Sequence, residues 1–174
     1  MGETTRTRAR PGVGNNGDMR NDVRTNMQKA AMVVGLMFLL VGMLGFVPGI
    51  TSHFSDMKFA SESSHAKLLG IFEVSVLHNI VHLLFGLAGI AAAKRYASSR
   101  NYLIAGGVIY LVLWVYGLVI DKNSKANFVP VNTADNWLHF GLGVGMIALG
   151  LALTDDPHRR NREFDRACAD TPCG

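Results

Sequence analysis

Four stretches of this chain are apolar enough, and long enough, to cross a lipid bilayer, and that constrains the fold more than any other feature. Residues 30–47 (AAMVVGLMFLLVGMLGFV) and 102–120 (YLIAGGVIYLVLWVYGLVI) carry no charged side chain. Residues 76–93 are apolar apart from His78, Asn79 and His82, and residues 137–153 apart from His139. Each run covers a hydrocarbon core at roughly 1.5 Å of rise per residue. A soluble helical bundle needs a charged face on every helix, and these runs have none. The sequence therefore predicts an all-α fold, an integral membrane four-helix bundle over residues 30–153.

Only 17% of residues are charged, and they lie outside the runs. Residues 1–29 form a basic tail too poor in large apolar groups to order itself. Residues 154–174 form a second polar tail, where Pro157 opposes helix continuation. Cys168 and Cys173 in that tail, with no His beside them, read as reduced cytoplasmic thiols. The first run is expected to stay as an anchor, because no small-x-small cleavage site follows it.

Lys and Arg set the orientation. Thirteen fall in the N-terminal tail, the 94–101 turn and the C-terminal tail. The other side has Lys58, Lys67, Lys122 and Lys125. The positive-inside rule places both termini in the cytoplasm of a bacterial plasma membrane protein. The basic balance reflects topology and anionic lipid headgroups, with the lipid bilayer as partner. A nucleic-acid role needs a folded basic face with aromatic interleaving, and the tails offer neither.

Two runs carry the same polar signature. His78-Asn79-x-x-His82-x-x-x-Gly86 recurs as Asp135-Asn136-x-x-His139-x-x-x-Gly143. Amide and imidazole groups are costly in a bilayer and seldom occur there without a partner or a task. Below His82, helical spacing selects Gly86, Gly89 and Ala93; below His139 it selects Gly143, Met146 and Gly150. Helices two and four are thus expected to face each other or share a seam, as parallel helix-pair repeats. The glycines of helices one and three, including Gly35, Gly45 and Gly117, read as supporting walls. A second small row, Gly141, Gly145, Ala148 and Ala152, gives helix four another close-packing face, and the bundle is expected to dimerise or join a larger membrane complex. Ser75 and Asn132 stand at N-cap positions, and Asp135 completes a capping box with Asn132. The apolar stretch 68–72 in the 48–75 connection is expected at the bilayer interface.

The segments Val76–Gly86 and Val131–His139 resemble the two signatures of the bacterial four-span membrane family known as domain of unknown function 4383. The resemblance covers roughly residues 30–153. That family often has Asn-Pro ahead of its first Leu-His-Asn, where this chain has Ser75-Val76. The resemblance implies fold and location, and it carries no activity.

Three kinds of chemistry suit the cluster His78, Asn79, His82, Asp135, Asn136 and His139. The first is a hydrogen-bonded network that fixes the register of helices two and four. The second is haem b held between His82 and His139, with the following glycines leaving room for the macrocycle. The third is a divalent metal on His78, His82, His139 and Asp135, since His at i and i+4 share a face. No catalytic residue stands out.

Overall fold

A computed structural model describes residues 24–61, 63–121, 124, 127, 131–153 and 166. Both tails, with Cys168 and Cys173, lie outside the described residues apart from Arg24–Lys29 and Arg166. The described chain is mainly helical: α1 Asn26–Leu44, α2 Val76–Ala92, α3 Tyr96–Val119 and α4 Thr133–Ala152. α1 and α3 are long and apolar enough to cross a membrane; α2 is apolar but has 17 residues. α4 has 20 residues, with Asp135, Asn136 and His139 in its first two turns.

Three helices begin earlier than their apolar runs, α4 at Thr133 behind its Asn132 cap. α1 starts at Asn26 because Thr25 and Gln28 close a capping box. The Gln28 N–H donates to Thr25 Oγ1 at 3.3 Å, and the Thr25 N–H donates to Gln28 Oε1 at 3.0 Å. Two orphan donors are satisfied at once, so the helix reaches into the polar leader. α3 starts at Tyr96, and Ser99 Oγ donates to the Arg95 and Ala92 carbonyls at 2.9 and 3.1 Å. Hydropathy marks the apolar run, whereas hydrogen bonding decides where the helix begins.

The 48–75 connection is more built than its sequence suggests. Strands β1 (Thr51–Ser52), β2 (Lys67–Leu68) and β3 (Phe72–Glu73) pair antiparallel in that order, with Thr51 opposite Leu68 and Lys67 opposite Glu73. Leu69 and Gly70, both at positive φ, turn the chain between β2 and β3. Ala66, Leu68 and Val74 are buried, and Val41 and Leu44 of α1 pack against them. Leu69 and Ile71, at the tip, are exposed. Thr51 Oγ1 donates to the Leu44 and Gly45 carbonyls, both at 3.2 Å, closing the end of α1. The N–H groups of Val76 and Leu77 at the start of α2 donate to Lys58 and Phe59 carbonyls. The small sheet is thus a cap on the α1–α2 end.

α1 packs chiefly on α2, and α3 chiefly on α4; α1 and α3 meet along the centre. The expected seam between α2 and α4 is replaced by these two pairings. The cause is glycine placement. A Cβ on Gly35 would lie 2.9 Å from the Gly86 carbonyl oxygen, and one on Gly107 would lie 2.7 Å from the Gly143 oxygen. Such approach is open only to glycine. Gly35, expected in a supporting wall, therefore shares one contact with Gly86.

Candidate functional site

All six polar residues singled out in the sequence are buried: His78, Asn79, His82, Asp135, Asn136 and His139 are each at most 9% exposed. Ser75 places the first set. Its hydroxyl accepts from the His78 N–H at 3.2 Å and so caps the start of the helix. Asn132 places the second set, accepting from the Asp135 N–H at 3.0 Å in a complete capping box. One Asp135 oxygen, Oδ2, accepts from the Asn132 N–H and from the Glu73 N–H, each at 3.0 Å. Asn132 Nδ2 also donates to the Ile71 carbonyl at 2.7 Å. The cap over the first helix pair therefore ties down the start of α4.

The two asparagines stay within their own pairs. The Asn79 amide fills the space where a Cβ on Gly45 would stand, and Asn136 Oδ1 fills that of Gly117. Asn79 Nδ2 also reaches Met57 Sδ at 4.0 Å. The imidazoles gather at the centre. His78 and His82 meet through their Nε2 atoms at 3.2 Å. His78 and His139 have ring centroids 6.5 Å apart.

Aromatic rings from α1 and α3 close this centre. Phe38 packs edge-on to His82 at 5.6 Å, and Tyr110 edge-on to His139 at 5.3 Å. Phe38 and Tyr110 stack on each other at 5.4 Å. At the opposite end of the pairs, Gln28 Nε2 donates to the Ala93 carbonyl at 3.2 Å and Arg100 Nε to the Gly150 carbonyl at 3.3 Å. Four contacts in the first pair thus have counterparts in the second. The α1 and α3 members (28 and 100, 35 and 107, 38 and 110, 45 and 117) are 72 positions apart. The α2 and α4 members (79 and 136, 82 and 139, 86 and 143, 93 and 150) are 57 apart.

Sequence reading missed Phe38, Tyr110, Gln28 and Arg100, and took Gly45 and Gly117 for walls. A signal was present: Gly-x-x-aromatic with Gly seven residues on occurs in both helices, as Gly35-Phe38-Gly45 and Gly107-Tyr110-Gly117. The glycines of helices two and four stand in close contacts. Positions 86, 89, 143 and 150 all lack room for a Cβ, Gly89 against Tyr102 and Gly150 against Ile104. Gly141 and Gly145 meet nothing within 4 Å.

The ligand-holding alternatives find no support in this geometry. The space beside Gly86 and Gly143 is filled by Leu39 and Leu111 together with α1 and α3 backbone, and Phe38 and Tyr110 pack against the two imidazoles. A macrocycle has no room there. Among the described residues no three His, Cys, Asp or Glu side chains converge as metal ligands. Asp135, one member of the expected metal set, engages backbone N–H groups.

Comparison with curated proteins and with solved structures gives no match. The family model described as domain of unknown function (DUF4383) matches residues 28–152, which take in nearly all of the four helices and both Asn/His motifs. Since the match spans well over half of the sequence, this chain belongs to the DUF4383 family.

Proposed function

We propose that this chain is a four-span protein of the bacterial plasma membrane, with a structural or accessory role and no catalytic centre of its own. One observation carries the reading: burial is inverted relative to a water-soluble protein. Inside stand Gly35, Gly86, Gly107, Gly143 and the Asn/His set, while Leu36, Leu84, Val112 and Leu151 stand outside, each more than half exposed. Every helix has such an outer face. A soluble domain rarely leaves so much apolar surface in water. In lipid, packing through small residues with polar groups turned inward is the expected arrangement.

The matched contacts at offsets of 72 and 57 support two parallel helix-pair repeats around an axis along the membrane normal. In this reading the Asn/His set fixes how the pairs close, and the open row Gly141, Gly145, Ala148 and Ala152 faces a second copy or another membrane protein. The distribution of Lys and Arg supports cytoplasmic termini, with the β1–β3 cap outside. Two measurements test it. The protein should stay in the membrane pellet on alkaline carbonate extraction. In a variant with Cys168 and Cys173 replaced by Ser, Ser63→Cys and Ser124→Cys should react with an impermeant thiol reagent in intact cells. Release by carbonate, or labelling only after permeabilisation, would overturn the membrane reading or the orientation respectively.

A further inference from the structure

The two seams between the helix pairs are unequal. On the α2–α3 side, Phe85 packs on Tyr102 and Tyr110 at 5.1 and 5.6 Å, and Tyr102 OH donates to the Phe85 carbonyl at 3.2 Å. That seam is plugged. By the same offsets, the α1–α4 side carries Leu142 in place of Phe85 and Ala30 in place of Tyr102. Both plugging rings are missing there, and α1 meets α4 more sparsely than any other helix it touches. Two cavities of about 100 Å³ each lie along this seam and share Val41, His82, Leu138 and Leu142. The outer one reaches Val34 and the exposed Met37. The inner one ends on His78, His82 and His139, under Leu68 and Phe72 of the cap.

We infer that this α1–α4 cleft is a binding site for a lipid-soluble ring compound bearing a carbonyl or hydroxyl group, the chemistry of a quinone or quinol head. The walls are aliphatic and aromatic, which suits a ring. An apolar cavity of about 150 Å³ is enough for benzene, so two adjoining cavities of the size seen here accept a substituted ring. The open wall of the inner cavity is almost entirely apolar, with the imidazoles of His78, His82 and His139 set into its inner end. His82 and His139 are each more than nine-tenths buried and line the inner cavity, and their Nδ1 atoms, covered in this conformation, have no hydrogen-bond partner among the described residues, so a turn of either ring would bring one to a ligand. A neutral imidazole donates from one nitrogen and accepts at the other, so it can meet a carbonyl or a hydroxyl. Among the described residues no Lys or Arg lines either cavity to receive an anionic head, and the Asp135 carboxylate at the inner end disfavours one. The sideways route from lipid rests on the membrane reading above; the cavity itself does not.

The test uses the full chain in detergent micelles, labelled with ¹⁵N-histidine, and two probes of one shape. Tetramethylbenzoquinone carries two carbonyls, and its fully substituted ring does not alkylate thiols; 1,2,4,5-tetramethylbenzene lacks the carbonyls. The quinone should shift the His82 and His139 imidazole signals saturably, and the hydrocarbon should bind at least tenfold more weakly. Leu142→Phe, which restores the plug of the other seam, should weaken quinone binding at least tenfold while the thermal midpoint is kept. Shifts that never saturate, equal binding of both probes, or full binding by a folded Leu142→Phe would each overturn the inference. If Leu142→Phe does not fold, the two-probe comparison on the native chain decides alone. A chain released by carbonate that still binds the quinone keeps the site and loses only the route from lipid.

Discussion

Within each helix pair the seam is backbone against backbone; between the pairs it is ring against ring. At Gly35–Gly86 and Gly107–Gly143 the helices approach so closely that a single methyl has no place. Between the pairs, Phe38 stacks on Tyr110 and His78 faces His139, at centroid distances of 5.4 and 6.5 Å. The first kind of contact fixes geometry and tolerates no change in volume. The second leaves rotamers and small cavities, and it is where the pairs differ from one another. A duplicated unit can keep its internal seam constant and vary only where its copies meet.

The largest effects should therefore come from the pair seams. Leu at position 35, 86, 107 or 143 drives a side chain into backbone that cannot retreat. Each should cost more than the roughly 1–3 kcal/mol of ordinary overpacking and should abolish a cooperative thermal transition in detergent. Gly141→Leu and Gly145→Leu, facing open space, should leave the midpoint of the single chain within about 0.5 kcal/mol of the native value. If Gly35→Leu proves as mild as Gly141→Leu, the contrast between seam and centre is gone.

A smaller effect should separate the pairs from each other. Gly45→Ala displaces the Asn79 amide, and Gly117→Ala displaces that of Asn136. Each should destabilise by about 1–3 kcal/mol, the cost of forcing an extra carbon into a filled site. Asn79→Ala should then rescue part of the Gly45→Ala loss but none of the Gly117→Ala loss. Cross-rescue would mean that the asparagines work as one network after all, and thermal midpoints of the four double variants decide it.

The parts of this arrangement differed in how far they could be read in advance. The four helices and the six buried polar residues were legible, because hydropathy and helical spacing are local properties. Pairing was not. Small residues line all four helices, and a glycine does not say which helix it faces. Comparing the first and third helices with each other would have exposed Gly35-Phe38-Gly45 beside Gly107-Tyr110-Gly117; only the second and fourth carried polar letters conspicuous enough to compare. The cap escaped for another reason. Its strands are two residues long, shorter than any alternation pattern can register, and its order comes from hydrogen bonds to helix ends.

Coupling between imidazoles should follow contact. His78 and His82 share a hydrogen bond, so their Ala variants should be less than additive by about 0.6–2 kcal/mol. His82 and His139 each pack on a different ring, Phe38 and Tyr110, so their Ala variants should be additive to within about 0.5 kcal/mol. Strong coupling of His82 with His139 would put a direct bond at the centre and erase its contrast with the seams.

The mildest change concerns the link between cap and α4. Asp135 accepts from its own N-cap residue, Asn132, and from Glu73 across the molecule, so two effects overlap. Asp135→Asn keeps a carbonyl oxygen for these donors and removes the charge that favours the first turn of a helix, worth about 0.3–1 kcal/mol near a surface. Asp135→Ala removes the acceptor as well and should cost about 1–2 kcal/mol more, since two backbone donors lose their partner. Amide exchange localises the effect. With Asp135→Ala, protection should fall at Glu73 and Asn132 together, while Gly86 and Gly143, deep in the pair seams, stay protected. If Glu73 keeps its protection, the Asp135 carboxylate does not hold the cap, and the Asn132 side chain on the Ile71 carbonyl is what joins it to α4.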